Sequence, residues 1–428
     1  MQRNAIVAQS GGPSPVINAS LQGVIEACRD FPDRLARVFG AWHGVEGVLG
    51  EELIDLGAQP PEEIELLRQT PASGFIGTCR YKLAAGQDED YRRILDVCAA
   101  HNVGYFFYIG GNDSMDTAAK VAQLARARGQ DLVAVGVPKT IDNDIGDPAF
   151  RLIDHTPGYG SAARYWACHI KDVDEESRAM QPSECVSVLQ AMGRTSGFIP
   201  AAARLADPDR EMPLQLYLTE AGHTLESLHD NVNSLLRTRR RAIVVVSEGF
   251  NVGALGERHD GFGHVEYGAS RFAAAQVVAG YLNDHGLAAR GQATWQSPGV
   301  LQRSTSVFAS IVDIGEAYEV GRSAVEIGVR EGTGWMATIL RVPGAHYAVR
   351  YDKVPLEQIA NSVRHLPAAW IASGGVDVTD DFVRYARPLI GDAMAPVRLV
   401  NGVPRFARCD VRFVAKRLDP YVPVRCRT

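Results

Sequence analysis

The strongest constraint on the fold is a recurring unit: a short apolar run, closed by glycine or polar residues and often followed by a stretch with helical spacing. It occurs as AIVAQS then GG, YFFYIGG then NDSMDTAAKVAQLA, LVAVGVP then KTIDNDI, CVSVLQAMG then RTSGFIPAAARLA, and AIVVVSEG. The runs lack clean polar–apolar alternation, so they read as strands buried on both faces. In the second unit Met115, Ala118, Val121 and Leu124 fall three apart and predict one apolar helix face. Strands and helices in alternation predict an α/β fold of largely parallel sheets covered by helices. Ligands of such sheets bind beyond the carboxyl ends of the strands, so the residues after each run are where chemistry is expected.

With 428 residues, 46% of them hydrophobic, the chain can fill two or three cored domains without staples. A charged, proline-bearing patch from Asp172 to Pro182 and the GVREGTG stretch at 328–334 suggest divisions into residues 1–175, 176–330 and 331–428. The formal charge of -6 offers no basic field for nucleic acid or an anionic membrane, so neither is an expected partner. A phosphorylated substrate must therefore be met by local cations. The seven cysteines show no C-x-x-C pair and no zinc spacing, which suits reduced thiols. No apolar window approaches the roughly 20 residues of a membrane span. The N-terminal apolar run is too short for a secretory signal, and a cytoplasmic protein is expected.

Three loops carry complementary chemistry. In SGGPSPVIN, Ser10 to Asn18, Gly11 and Gly12 at a strand-to-helix junction let backbone N–H groups approach an anion; a plain tight turn is the alternative. In IGGNDSMDT, Ile109 to Thr117, Gly111 with Asn112, Asp113 and Ser114 offers backbone donors and oxygens that suit a Mg2+ carried by phosphates. Read singly, the same residues are equally a helix start capped by Asp113 or Ser114. In VGVPKTIDNDI, Lys139, Thr140, Asp142 and Asp144 crowd the end of an apolar run: one carboxylate suits a general base, a second a metal, and the lysine developing phosphoryl charge. QAMGRTSG puts Arg194 at the next strand end, and SEGF places Glu248 after five apolar residues, to accept sugar hydroxyls or cap a helix; GFIGTCRY brings Arg80 after a glycine-rich turn and GVLQRS brings Arg303. Together they point to phosphoryl transfer.

In order, GGPSPVIN, GTCRY, GGNDS, PKTIDND, MGRTSG, SEG and LQR resemble the phosphofructokinase family from Gln9 to about Glu326. The resemblance implies two Rossmann-like α/β lobes plus a C-terminal extension, with the phosphoryl donor on the first lobe and fructose 6-phosphate in the cleft. It makes Asp142 the base for the sugar 1-hydroxyl, with Thr140 and Asp144 shaping the site. Gly11, Gly12, Arg80, Gly111 and Ser114 would hold the donor. Met192, Gly193, Arg194, Glu248 and Arg303, with Thr140, would hold the acceptor, and Asn112, Asp113 and Asp144 the Mg2+. A homo-oligomer is expected.

ATP-using members resemble GGDGS and PGTIDND, with glycine where this chain has Asp113 and Lys139, so the resemblance is to the pyrophosphate-using branch. Asp113 adds bulk and negative charge where an ATP α-phosphate would sit, and Lys139 supplies charge to a donor without a nucleotide. These two and Asp142 form the expected catalytic set. The alternatives are an ATP-dependent kinase on the same sugar, an acceptor such as a seven-carbon sugar phosphate, and a silent subunit that binds sugar phosphate. The chain departs from the family pattern at Val16, Asn112, Cys185 and Val300. The C-terminal YDKVPLEQIANSVRHLP and DDFVRYARPLI carry no motif with a mechanistic reading.

Overall fold

The computed structural model describes residues 2–81, 83, 88–253, 273–360 and 362–427. Strands β1 (Arg3–Gln9), β2 (Leu35–Ala41), β3 (Leu53–Asp55), β4 (Val103–Gly110) and β5 (Val133–Pro138) build a first sheet. Strands β6 (Glu184–Ala191), β7 (Leu214–Tyr217), β8 (Ala242–Ser247) and β9 (Gln292–Gln296) build a second. Strands β10 (Trp335–Arg341) and β11 (Val349–Pro355) then return to the first sheet, whose order is β11-β10-β5-β4-β1-β2-β3. Its centre is parallel and only the edge strands β3 and β11 run antiparallel. The second sheet, β7-β8-β6-β9, is parallel throughout.

The missing alternation has the expected cause. Every residue of β4 and of β8 is buried, so both faces of these strands need apolar side chains. Strand β9, QATWQ, lies at a sheet edge and is mostly exposed, which its polar sequence permits. The helix Asn112–Ala127 buries Met115, Ala118 and Val121, with Leu124 packed at the margin of the same core.

Residues 172–180 are the end of the helix Tyr159–Met180, and the second sheet starts at Glu184. The helix Ile311–Glu331 carries the chain back to the first sheet by lying against Ile17–Arg29. Two glycines allow the approach. A Cβ on Gly23 would sit 2.1 Å from the Tyr318 carbonyl oxygen, and one on Gly321 would sit 2.2 Å from that of Ser20. Beyond β11 the tail laces over the first sheet. Buried Glu51 accepts the N–H groups of Arg417 and Leu418, and buried Asp90 accepts the Tyr421 hydroxyl and the Val424 N–H.

A cluster of matched charge lies where β10, the helix Ile311–Glu331 and the segment after residue 153 meet. His155 bonds through Nδ1 to Asp154 (2.9 Å) and through Nε2 to Glu316 (2.7 Å). Arg341 donates to the same Asp154 carboxylate and Tyr347 to the same Glu316. Among the described residues no helix is long and apolar enough to cross a membrane.

Candidate active site

The carboxyl ends of β1, β4 and β5 bring the first loops together. After β1, Gly11 takes φ +78, a conformation glycine adopts without strain, while its N–H bonds to the Cys79 carbonyl (2.9 Å). This ties the first loop to the segment preceding Arg80. Gly12 has no room for a side chain: a Cβ would stand 2.5 Å from Arg303 Nη1 and 3.7 Å from Arg80 Nη2. Two guanidiniums, one from each sheet's loops, therefore converge on one glycine.

After β4, Gly110 and Gly111 precede the helix. Ser114 is tucked under the turn, its Oγ lying 2.1 Å from where a Gly110 Cβ would be. Gly111 occupies the cap position, so neither Asp113 nor Ser114 caps the helix; Asp113 lies in its first turn. Asn112 donates to Asp144 (Nδ2 to Oδ2, 3.4 Å), while its Oδ1 is buried with no hydrogen-bond partner among the described residues.

After β5, Lys139 is buried and its Nζ donates to the carbonyls of Ser10 (2.9 Å) and Gly12 (2.6 Å). Burial pushes the amine down to about 7, and Arg303, Arg194 and Arg80 push the same way against Asp142. The Thr140 hydroxyl accepts the Asp142 N–H (3.1 Å) and fixes the turn. Asp142 pairs with Arg194 across the cleft (3.7 Å). Burial and the neighbouring Asp142 raise Asp144 to about 6.

The second sheet supplies the opposite wall. Gly193 (φ +127) and Arg194 (φ +53) form a tight turn after β6. Glu248, after β8, accepts the N–H groups of Gly193 (3.1 Å) and Arg194 (2.7 Å), and burial with Asp142 raises it to about 7. The sequence offered Glu248 as an acceptor of sugar hydroxyls or a helix cap; here one of its oxygens clasps a turn. Gln302 does the same from the short helix Leu301–Ser304 that follows β9, its Oε1 accepting the Met192 N–H (2.9 Å) and the Trp166 indole N–H (2.9 Å). Nothing in LQR marks Gln302 for this role; its place beside Arg303 is the available signal.

The loops thus bring together Lys139, Arg80, Arg194 and Arg303 against Asp142, with Asp144 and Asn112 behind. The donor set fits a hard cation: an orphaned amide oxygen beside a half-buried carboxylate leaves positions for phosphate oxygens and water. Among the described residues, no three His, Cys, Asp or Glu side chains form a metal cluster by themselves.

A family model described as phosphofructokinase matches residues 4–327. The chain is 37% identical to the pyrophosphate–fructose 6-phosphate 1-phosphotransferase of Methylococcus capsulatus, covering 97% of this chain and 98% of the relative. It is 36% identical to the protein of the same name in Halomonas elongata, over 98% and 99%. The solved pyrophosphate-dependent phosphofructokinase of Nitrosospira multiformis superposes with a TM-score of 0.88 at 35% identity, covering 98% of this chain and all of that one. The chain belongs to the phosphofructokinase family.

Proposed function

We propose that this protein transfers a phosphoryl group reversibly from pyrophosphate to the 1-hydroxyl of fructose 6-phosphate, giving fructose 1,6-bisphosphate and phosphate. The observation that carries this is the convergence of Arg80, Arg303 and buried Lys139 on the Gly11–Gly12 turn, beside Asp142. Cations that depress one another's charge are preorganised for a polyanion, which relieves the repulsion on binding. The full-length relatives named for pyrophosphate support the donor, as do Asp113 and Lys139 themselves.

In this reading the Asp142 carboxylate takes the proton from the 1-hydroxyl as its oxygen bonds to the terminal phosphorus. The bridging P–O bond breaks and phosphate leaves; in reverse, protonated Asp142 returns the proton. Lys139 stabilises charge on the transferred group. Gly11, Gly12, Arg80, Gly111 and Ser114 hold pyrophosphate. Thr140, Met192, Gly193, Arg194, Glu248 and Arg303 hold the sugar phosphate, Glu248 partly by fixing the Gly193–Arg194 turn. Asn112, Asp113 and Asp144 would hold a Mg2+ brought by the pyrophosphate, which when bound would neutralise phosphoryl oxygen charge. Residues 1–175, completed by β10 and β11, would form the donor lobe and 176–330 the acceptor lobe, with the rest of 331–428 an extension packed on them, in a cytoplasmic homo-oligomer.

The test is fructose 1,6-bisphosphate formation from fructose 6-phosphate and Mg2+, with pyrophosphate or ATP supplied to wild type and Asp142→Ala. Turnover with pyrophosphate alone is expected, falling about 10²–10⁴-fold in the variant. Equal or greater turnover with ATP overturns the donor assignment, and silence with both overturns the reaction.

A further inference from the structure

The loop carrying Asp142 and Asp144 is held from behind by residues beyond the span of the family model, which ends at 327. Between the two carboxylates stands Asn143, fully buried and at φ +57. An ordinary side chain is strained there; asparagine tolerates the conformation, and its partners keep it. Its Oδ1 accepts the Thr156 N–H (3.0 Å) and Arg364 Nη2 (2.9 Å), and its Nδ2 donates to the Tyr385 hydroxyl (2.8 Å). Arg364 also gives Nε to the Asn143 carbonyl (3.1 Å) and Nη1 to the Ile153 carbonyl (2.7 Å). The Arg364 backbone N–H reaches the Asp144 carbonyl (2.7 Å). The Tyr385 hydroxyl continues to the Asp154 carbonyl (2.9 Å). Arg364 has no exposed surface, and its guanidinium lies 4.3 Å from the centre of the Phe150 ring.

We propose that Arg364 and Tyr385 are positioning residues for the phosphoryl-transfer loop: they lock Asn143 so that Asp142 turns to Arg194 and Asp144 to Asn112. The inference rests on the assignment of Asp142 as base. Two carboxylates two positions apart repel, and only a rigid backbone keeps them on separate partners. The guanidinium's fixed fork spans the Asn143 amide oxygen, the Asn143 carbonyl and the Ile153 carbonyl at once. A lysine keeps the charge without that geometry. The segments containing Arg364 and Tyr385, which offered no motif, thereby become part of the catalytic support.

The test compares the full chain with Arg364→Lys and Tyr385→Phe, reading kcat, both KM values and amide exchange along 139–146. Misplacing the loop by about 1 Å is expected to lower kcat about 10–100-fold in R364K, with both KM values within about two-fold of wild type. Y385F loses two hydrogen bonds, of which the one from Asn143 reaches the loop, and should lower kcat roughly 3–10-fold. Exchange along 139–146 should quicken in both while β4 and β8 keep theirs. Unchanged kcat in either folded variant overturns the proposal, as does a lower kcat with unchanged exchange along 139–146. If R364K does not fold, Y385F alone decides. A wild type silent with pyrophosphate and fructose 6-phosphate refutes the reaction instead; unchanged exchange in both variants would then still overturn the positioning role.

Discussion

His155 and Lys139 are both buried basic groups, and the segments that carry them are joined: Thr156 donates its hydroxyl to the Thr140 carbonyl (3.0 Å). Their surroundings differ in what is left over. Burial disfavours the charged ring of His155, yet Glu316 and Asp154 raise it to about 9. Burial disfavours the charged amine of Lys139, and Arg303 and its fellow guanidiniums add to that, lowering it to about 7. The first cluster answers its buried ring with carboxylates; around Lys139 three guanidiniums push the amine's charge down and Asp142 alone holds it up. In one chain, scaffold and site are thus told apart by whether buried charge is already answered, rather than by burial itself.

The comparison breaks first at His155. His155→Leu leaves Glu316 buried without a cation and Asp154 with Arg341 alone, and should cost about 3–5 kcal/mol of unfolding free energy, read by urea denaturation. A loss below about 1 kcal/mol, the size of an exposed pair, would mean that the carboxylates do not answer the buried ring. Lys139→Met should do the reverse. Turnover with pyrophosphate falls about 10²–10³-fold, as for loss of one transition-state charge contact, while stability stays level or rises. A variant that unfolds with its activity would place Lys139 in the scaffold.

Acidity sharpens the contrast further. The raised His155 contributes stability that is full below about 6.5 and is lost as pH rises through about 9. The lowered Lys139 releases a proton on folding between about 7 and 10.5, so its contribution grows with pH across that window. Between pH 7 and 9 the two slopes oppose, each at most about 1.4 kcal/mol per pH unit. Stability measured over that range should fall more steeply in Lys139→Met and less steeply in His155→Leu than in wild type. Pyrophosphate binding at pH 8 should also take up a proton, seen by calorimetry in two buffers of different ionisation enthalpy and missing in Lys139→Met. The smallest effect is expected from Asp113→Gly: a few-fold gain in turnover with ATP as like charge is removed. No gain would mean that Asp113 does not set the donor.

Residues that a local pattern marks were legible. Glycine, cation and carboxylate follow the apolar runs of β1, β4 and β5, so their gathering beyond one sheet was expected, although Lys139 meets Ser10 and Gly12 across 129 and 127 positions. The apolar residues three apart in Asn112–Ala127 marked a buried helix face. What stayed hidden depends on distant partners. Arg364 and Tyr385 meet Asn143 across 221 and 242 positions, and nothing in RHLP or VRYA marks a side chain that supports a turn so far upstream. Glu248 looked like a group for a ligand and Gln302 like nothing in particular, yet each accepts backbone N–H from the turn after β6 that only the folded second sheet presents. Composition reveals a donor or acceptor; which atom it serves is a property of the assembled packing.

The return of the chain to its first sheet also bears on how the protein is made. Strands β1 to β5 are complete by residue 138, but β10, which flanks β5, begins at residue 335. At roughly 5–20 residues per second, a ribosome takes about 10–40 s to deliver that missing neighbour. Throughout that interval the open edge of β5 is an unpaired parallel strand of apolar residues, able to pair with another nascent chain. The enzyme is therefore most prone to aggregate while it is being born, and a clone truncated before Trp335 should be found in inclusion bodies.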